Sequence, residues 1–85
     1  RRKLNKDFEK RIYSSKKNVE LVLAKIYDID DEDIQKEYIS SFNNVVYLYD
    51  ELKENYDQKG FNDNSEELLT SYKNAFIRFE SEFEI

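Results

Sequence analysis

Apolar residues recur at spacings of three and four along three long segments of the chain. Because an α-helix has 3.6 residues per turn, this spacing places the apolar side chains in one stripe along each helix. The pattern predicts helices over about residues 4–27, 31–58 and 65–82, joined by short loops. Such amphipathic helices pack as an all-α, antiparallel three-helix bundle. The predicted stripes are Leu4, Phe8, Ile12, Ser15, Val19, Val22 and Ile26; Ile34, Tyr38, Ser41, Phe42, Val45, Tyr49, Leu52 and Tyr56; and Leu68, Tyr72, Ala75, Phe76, Phe79 and Phe83.

The joints between these helices must come from turn chemistry, because the chain has no proline and a single glycine. Asp30 or Asp31 is expected to accept hydrogen bonds from free N–H groups at the start of the second helix. Gly60 suits a left-handed cap at the end of the second helix. Asn64 with Glu67 resembles a capping box at the start of the third helix.

The acidic run DIDDED, residues 28–33, raises the question of a metal loop. Read as a calcium loop from Asp28, it lacks glycine at the sixth position, Asp33, and glutamate at the twelfth, Ile39. The chain also has no histidine and no cysteine, so the usual general base and the usual zinc ligands are missing. We therefore expect no metal, no cofactor and no catalytic residue, and a protein that is not an enzyme.

Charge is distributed unevenly along the chain. Residues 1–27 carry nine Lys/Arg against three Asp/Glu, whereas residues 28–85 carry five against sixteen. The basic start, RRKLNKDFEKR, is either a solvated helix face or a surface that meets an anionic membrane or an acidic partner. Lys6, Lys10 and Arg11 are the candidate contacts within it. Nucleic acid is disfavoured because the acidic remainder of the chain would repel phosphate.

The length of 85 residues suffices for one domain with a small core. The longest uninterrupted run of aliphatic residues is four, 21–24, far short of the ~18 that a transmembrane helix needs. The chain starts without methionine, which leads us to expect a single domain, residues 1–85, excised from a longer protein.

A few apolar residues fall off the predicted stripes. At 100° per residue, Leu21 points nearly opposite the stripe of the first helix, and Tyr47 does the same on the second. Ile39 and Val46 flank the second stripe, and Ile77 lies well off the third. Single exposed apolar residues are common, but several on adjacent helices, rimmed by acid, indicate a docking surface.

Three sequence runs resemble the GAT domain of trafficking adaptors, the family that includes the Golgi-localised, gamma-ear-containing, Arf-binding adaptors and the Tom-type adaptors. They are NVELVLAKI (residues 18–26), DIQKEYISSF (33–42) and DNSEELLTSYKNAF (63–76). The resemblance implies a non-enzymatic three-helix bundle that binds ubiquitin on shallow apolar grooves and, in some members, GTP-loaded Arf through the start of the first long helix. Lys6, Lys10 and Arg11 would then be GTPase or membrane contacts.

The resemblance also implies positions for the ubiquitin contacts. Leu21 falls on an exposed leucine of the family and Glu37 on a contacting glutamate, while Lys25 replaces a common methionine. The third-helix site of the family, Leu-x-x-x-Leu-x-x-x-Asp, fits two registers here, and neither ends in Asp. They are Leu68, Tyr72 and Phe76, or Leu69, Lys73 and Ile77. The expected ubiquitin-binding residues are therefore Leu21, Glu37, Leu69, Tyr72, Phe76 and Ile77.

Two function classes remain open from the sequence. The first is a monomeric ubiquitin-binding adaptor module of endocytic or endosomal–Golgi transport, similar to divergent fungal adaptors. It would be cytoplasmic, at the periphery of endosome, Golgi or cell cortex, with Arf-family GTPases and actin regulators as further partners. The alternative is a small acidic helical protein from a bacterium or phage, an immunity protein or inhibitor that masks a basic partner surface.

Overall fold

The protein is a bundle of three helices in the computed structural model, which describes residues 3–85. The helices are α1 (Lys6–Tyr27), α2 (Glu32–Lys59) and α3 (Ser65–Glu82). Helix α2 runs antiparallel to both neighbours, so α1 and α3 are parallel to each other. The predicted all-α three-helix bundle is confirmed. The first two arginines of the basic start lie outside the described residues.

The core follows the predicted stripes closely. Every predicted position from Phe8 to Ile26 in α1 is buried. In α2 the stripe is buried from Phe42 to Tyr56, whereas the predicted positions before Phe42 are partly buried or exposed. Ile34, predicted as part of the second stripe, is exposed because it belongs to the first turn of α2. The buried hydrophobic residues are Phe8, Ile12, Val19, Val22, Ile26, Phe42, Val45, Tyr49, Leu52, Tyr56, Leu69, Tyr72, Ala75 and Phe79.

Aromatic rings fill the space between α2 and α3. The Phe42 and Phe79 rings meet edge to face with centroids 4.8 Å apart, and Tyr49 meets Tyr72 at 6.0 Å. Such pairs contribute ~0.5–1.5 kcal/mol beyond the area they bury. The α2–α3 packing therefore fixes the rotation of α3 about its own axis.

Helix α1 begins two residues later than the sequence predicts. Asn5 is its N-cap, and the Asn5 side chain accepts a hydrogen bond from the Phe8 N–H at 3.0 Å. The Asn5 N–H is in turn held by the Tyr56 hydroxyl at 3.0 Å. Leu4 is therefore outside the helix and 63% exposed, so its prediction as a core residue is wrong. The backbone of Lys3 instead accepts a hydrogen bond from the N–H of Phe61.

The α1–α2 joint forms as predicted. Asp31 is the N-cap of α2, and its carboxylate accepts hydrogen bonds from the N–H groups of Asp33 and Ile34. The side-chain amide of Gln35 donates to the carbonyls of Ile26 and Tyr27 at 3.2 Å, which satisfies the last turn of α1. The acidic run therefore serves to cap α2.

The α2–α3 joint differs in detail from its prediction. Gly60 does cap α2 at a positive φ of 72°, but its ψ of −162° lies in a region that glycine alone populates, not in the left-handed helical region. The predicted capping box is wrong, because the Asn64 side chain makes no cap hydrogen bond. Asn62 takes that role: its N–H donates to Ser65 Oγ, and its Oδ1 accepts from the Asn64 N–H. This bonding explains why Ser65 is buried.

The aromatic core gives a first prediction. Phe42→Ala and Phe79→Ala are each expected to lower the free energy of unfolding by ~3–5 kcal/mol, because each leaves a cavity that the surrounding rings cannot fill. Urea unfolding followed by circular dichroism measures this loss. Tyr47→Ala is the matched control, since its ring is exposed, and a change below ~0.5 kcal/mol is expected. Unfolding midpoints near wild type for both phenylalanine variants would contradict the assignment of this core.

Candidate protein-binding grooves

The direct contacts between α1 and α3 include an ion pair and a hydrogen bond. Arg11 forms an ion pair with Glu66 at 3.6 Å, and the Tyr72 hydroxyl donates to the Ser15 carbonyl at 3.2 Å. The second contact lies further towards the C-terminus than the first on both α1 and α3, as parallel helices require. They define the α1–α3 groove, the surface furrow between these two helices.

Leu21 and Ile77 lie on the two lips of the α1–α3 groove. Leu21 follows Asn18 by three residues on α1, and Asn18 lines a shallow depression together with Lys73 of α3. Ile77 follows Lys73 by four residues, on the same side of α3. Leu21 is ten residues beyond Arg11, and Ile77 is eleven residues beyond Glu66. At 1.5 Å per residue, both therefore lie about 15–16.5 Å along the bundle from this ion pair.

By their helical positions, these two side chains and Phe76 lie on the flanks of α1 and α3 that border this groove, and we call the three together the Leu21–Ile77 patch. Leu21 is 57% exposed and Ile77 is 61% exposed, as the helical wheel predicts. Phe76 is half-buried on the α1 side of α3, and its ring packs against Phe42 and Tyr72 at 6.0 Å each. The core therefore holds the inner part of the patch rigidly. Helical spacing therefore assigns to one groove residues that the sequence assigned to two separate sites.

Two of the predicted contact residues are not on the surface. Leu69 and Tyr72 are each only 3% exposed, and the Tyr72 hydroxyl is bonded across the bundle to Ser15. Their prediction as ubiquitin contacts is wrong, because both side chains belong to the core. Of the two registers considered for α3, the patch combines Phe76 from one with Ile77 from the other.

Glu37 lies on a different groove from Leu21. Glu37 precedes Ser41 by four residues and Asn44 by seven, so all three share one side of α2. Ser41 and Asn44 line a small depression with Phe79 of α3. By this spacing Glu37 lies on the flank of α2 beside α3, so Glu37 and Leu21 fall on different grooves.

The charges beside the Leu21–Ile77 patch also differ from expectation. Lys25 follows Leu21 by one helical turn, and Lys73 precedes Ile77 by one turn. Glu80 is the acidic neighbour of Ile77 at a spacing of three residues. The expected acidic rim is therefore wrong for this groove, which has a mixed rim with an excess of lysine.

The basic residues at the start of α1 divide between two sides of the helix. Arg11 faces α3, where it pairs with Glu66. Lys6 and Lys10 line the α1–α2 groove, a concavity of about 610 Å³ between the first half of α1 and the second half of α2. Residues that the sequence reasoning did not select complete this groove, namely Leu4, Glu9, Ile12, Tyr13, Lys16, Tyr49, Lys53, Tyr56 and Asp57. Lys10 also borders the shallow depression between α1 and α3.

Tyrosine hydroxyls near the grooves are held in their neutral form. Burial, with a smaller contribution from Asp50, raises the pKa of Tyr49. Burial raises the pKa of Tyr72 to about 12, although an interaction with the side chain of Ser15 acts in the opposite direction. On the outer face of α2, a hydrogen bond with Glu51 raises the pKa of Tyr47. The grooves therefore present neutral phenol groups at physiological pH.

Two alternative roles find no support in residues 3–85. No group of three or more acidic side chains in this range is arranged to hold a metal ion. No helix in the same range combines the length and the apolar character that crossing a bilayer requires.

Comparison with known proteins gives no relative from which function could be transferred. No protein family, no curated protein and no solved structure matches the chain. The resemblance to the GAT domain stays a prediction from the sequence.

The buried position of Tyr72 gives a second prediction. Because its folded-state pKa is about 12 and an unperturbed tyrosine has a pKa of 10, its contribution to stability is complete below pH 10. That contribution is lost as the pH rises from 10 to 12. Between pH 10 and 12 the wild type should therefore lose stability relative to the Tyr72→Phe variant, which has no hydroxyl to ionise at this position. A difference that stays constant from pH 9 to 12 would contradict a buried, bonded hydroxyl.

Proposed function

We propose that this chain is a non-catalytic adaptor module that binds ubiquitin, in a protein of endocytic or endosomal–Golgi transport. The observation that carries the proposal is the Leu21–Ile77 patch: two aliphatic side chains, each more than half exposed, on the lips of one groove. Leu21 is also the residue at which the GAT-like run NVELVLAKI places a ubiquitin contact. Two independent lines of reasoning thus select the same side chain.

A patch of this kind suits a weak protein contact. Ubiquitin presents a modest apolar surface, and the half-buried Phe76 ring between two aliphatic lips offers a shallow counterpart. Without a deep pocket for an aromatic anchor, the affinity should be in the high-micromolar range, about −5 to −6 kcal/mol. Adaptors reach useful strength by combining several such modules, because a second attachment raises the effective concentration.

The rim lysines oppose this partner to a limited extent. The apolar surface of ubiquitin is bordered by Lys and Arg, so Lys25 and Lys73 repel it. Exposed charge pairs are worth only ~0.2–1 kcal/mol, and long lysine side chains can move away from the contact. The repulsion therefore lowers the affinity and leaves the apolar contact as the main attraction.

The third prediction tests the patch directly. Leu21→Asp and Ile77→Asp should each weaken ubiquitin binding at least ~10-fold, because each places a charge against apolar surface. The fold should persist, since both side chains are exposed. Titration of the labelled domain with ubiquitin, followed by chemical-shift mapping, measures both effects. Tyr47→Asp is the matched control, because Tyr47 is equally exposed on the outer face of α2.

Other outcomes of this titration have definite meanings. Loss of binding on Glu37→Lys, with both patch variants unaffected, would move the site to the α2–α3 groove. A destabilised Leu21→Asp variant would show that Leu21 belongs to the core. If ubiquitin shifts no resonance at millimolar concentration, the proposed function fails, and the acidic inhibitor becomes the better hypothesis.

The fourth prediction uses the lysine rim. If ubiquitin docks on the Leu21–Ile77 patch, Lys73→Glu should strengthen binding by roughly two- to fivefold, because it replaces repulsion by attraction at the rim. Lys36→Glu is the matched control: this lysine is exposed at the start of α2, where it pairs with Glu32. Weaker binding of the Lys73→Glu variant would show that the groove prefers an acidic partner.

A further inference from the structure

We propose that the α1–α2 groove binds a short acidic peptide in which apolar side chains alternate with carboxylates. This site is separate from the Leu21–Ile77 patch, because its residues on α1 end at Lys16 and its second wall is α2 rather than α3, and the inference does not depend on ubiquitin binding. The groove combines a concave apolar floor with several lysines along its edges.

The floor of the groove is apolar and firmly packed. Ile12, Tyr49 and Tyr56 are buried in the core, and their outer edges form the base of the concavity. Tyr13 stands at the lip, where the ammonium group of Lys17 lies 4.9 Å from the centre of its ring. The volume of about 610 Å³ falls within the ~300–1,000 Å³ of typical ligand sites.

The groove has an excess of positive charge. Its acidic members are already engaged, since Glu9 accepts a hydrogen bond from the Tyr56 hydroxyl at 2.6 Å, and Asp57 is paired with Lys53. Within residues 3–85, Lys6, Lys10 and Lys16 form no ion pair, although all three border the same floor. A ligand with carboxylates would supply the missing partners.

The spacing of the lysines favours an extended peptide. Lys6 to Lys16 spans about 15 Å along α1, at 1.5 Å per residue. An extended chain covers that length with about five residues, and its side chains on one side repeat every ~6.6 Å. The one-turn separation of Lys6 and Lys10, ~6 Å, matches this repeat. Carboxylates on one side can therefore meet the lysines while apolar side chains on the other side meet the floor.

A peptide fits this surface better than an anionic bilayer. The groove is concave and runs between two helices, whereas a bilayer surface is flat on this scale. A bilayer pressed against both helices would also meet Asp57 and the neighbouring Asp50 on α2, and these carboxylates would repel anionic lipid. A narrow peptide on the α1 side of the groove avoids them.

Fluorescence anisotropy with a labelled seven-residue peptide of alternating Glu and Leu tests the proposal. We expect saturable binding by the wild-type domain. Two control peptides, with Gln for Glu or Ser for Leu, should bind at least ~10-fold more weakly, because each removes one half of the recognition. The double variant Lys10→Glu, Lys16→Glu should show a similar loss. Lys36→Glu serves as the matched control and should bind like wild type.

Several results would overturn the inference. Equal binding of the Gln peptide, or undiminished binding by a folded Lys10→Glu, Lys16→Glu variant, would remove the charge argument. Cosedimentation with phosphatidylserine–phosphatidylcholine vesicles, without saturable binding of the peptide, would assign the lysines to a membrane instead. The comparison of peptides uses the wild-type domain alone, so it remains decisive even if a variant unfolds. Ubiquitin titration of the same lysine variant separates this site from the patch.

Discussion

The buried face of α2 is the constraint on which the rest of the structure depends. Phe42, Tyr49 and Tyr56 on this face contact rings from α3 or from α1, so α2 fixes the position of both neighbours. Direct contact between α1 and α3 is sparser and includes the Tyr72–Ser15 hydrogen bond and an exposed ion pair. Because α1 and α3 are held mainly through a third helix, the groove between them stays open. Two of the three most exposed aliphatic side chains, Leu21 and Ile77, lie on the flanks beside this groove.

The sequence predicts most of the core and the start of α2, but it does not predict how α1 and α3 begin. A repeat of 3.6 residues determines which side chains share a face, so most core positions from Phe8 to Phe79 could be read directly, with Leu69 as an exception. The apolar periodicity extends back to Leu4, but the helix starts only after Asn5, whose side chain accepts a hydrogen bond from the N–H of Phe8. At the start of α3, Asn62 bonds Ser65 and Asn64, which leaves the expected box without a function. Both predictions failed because hydrogen bonds between polar groups decide where these helices start, and the pattern of apolar residues contains no information about them.

At the candidate site, the exposure of a side chain could be predicted from its own helix, but its neighbours on other helices could not. The exposure of Leu21 and Ile77 followed from their angle to their own stripes. Their pairing, and the separation of Glu37 from Leu21, depend on which flank of each helix faces which neighbour, and a single helical wheel contains no such information. The choice between Leu68 and Leu69 rests on a rotation of 100° about α3. The aromatic contacts with α2 decide that rotation and bury Leu69.

Helix α1 is common to both proposed sites, yet its two flanks are physically separable. Leu21 belongs to the flank beside α3, whereas Tyr13 and Lys16 belong to the flank beside α2. In the described part of the chain every fully buried side-chain polar atom has a hydrogen-bond partner, so the interior does not rely on the exposed lysines. Charge changes on one flank should therefore leave the core, and the opposite flank, nearly unchanged in energy, since distant sites without shared partners are additive within ~0.3–0.5 kcal/mol. Such additivity allows one small bundle to carry two independent contacts, an apolar one facing α3 and a basic one facing α2.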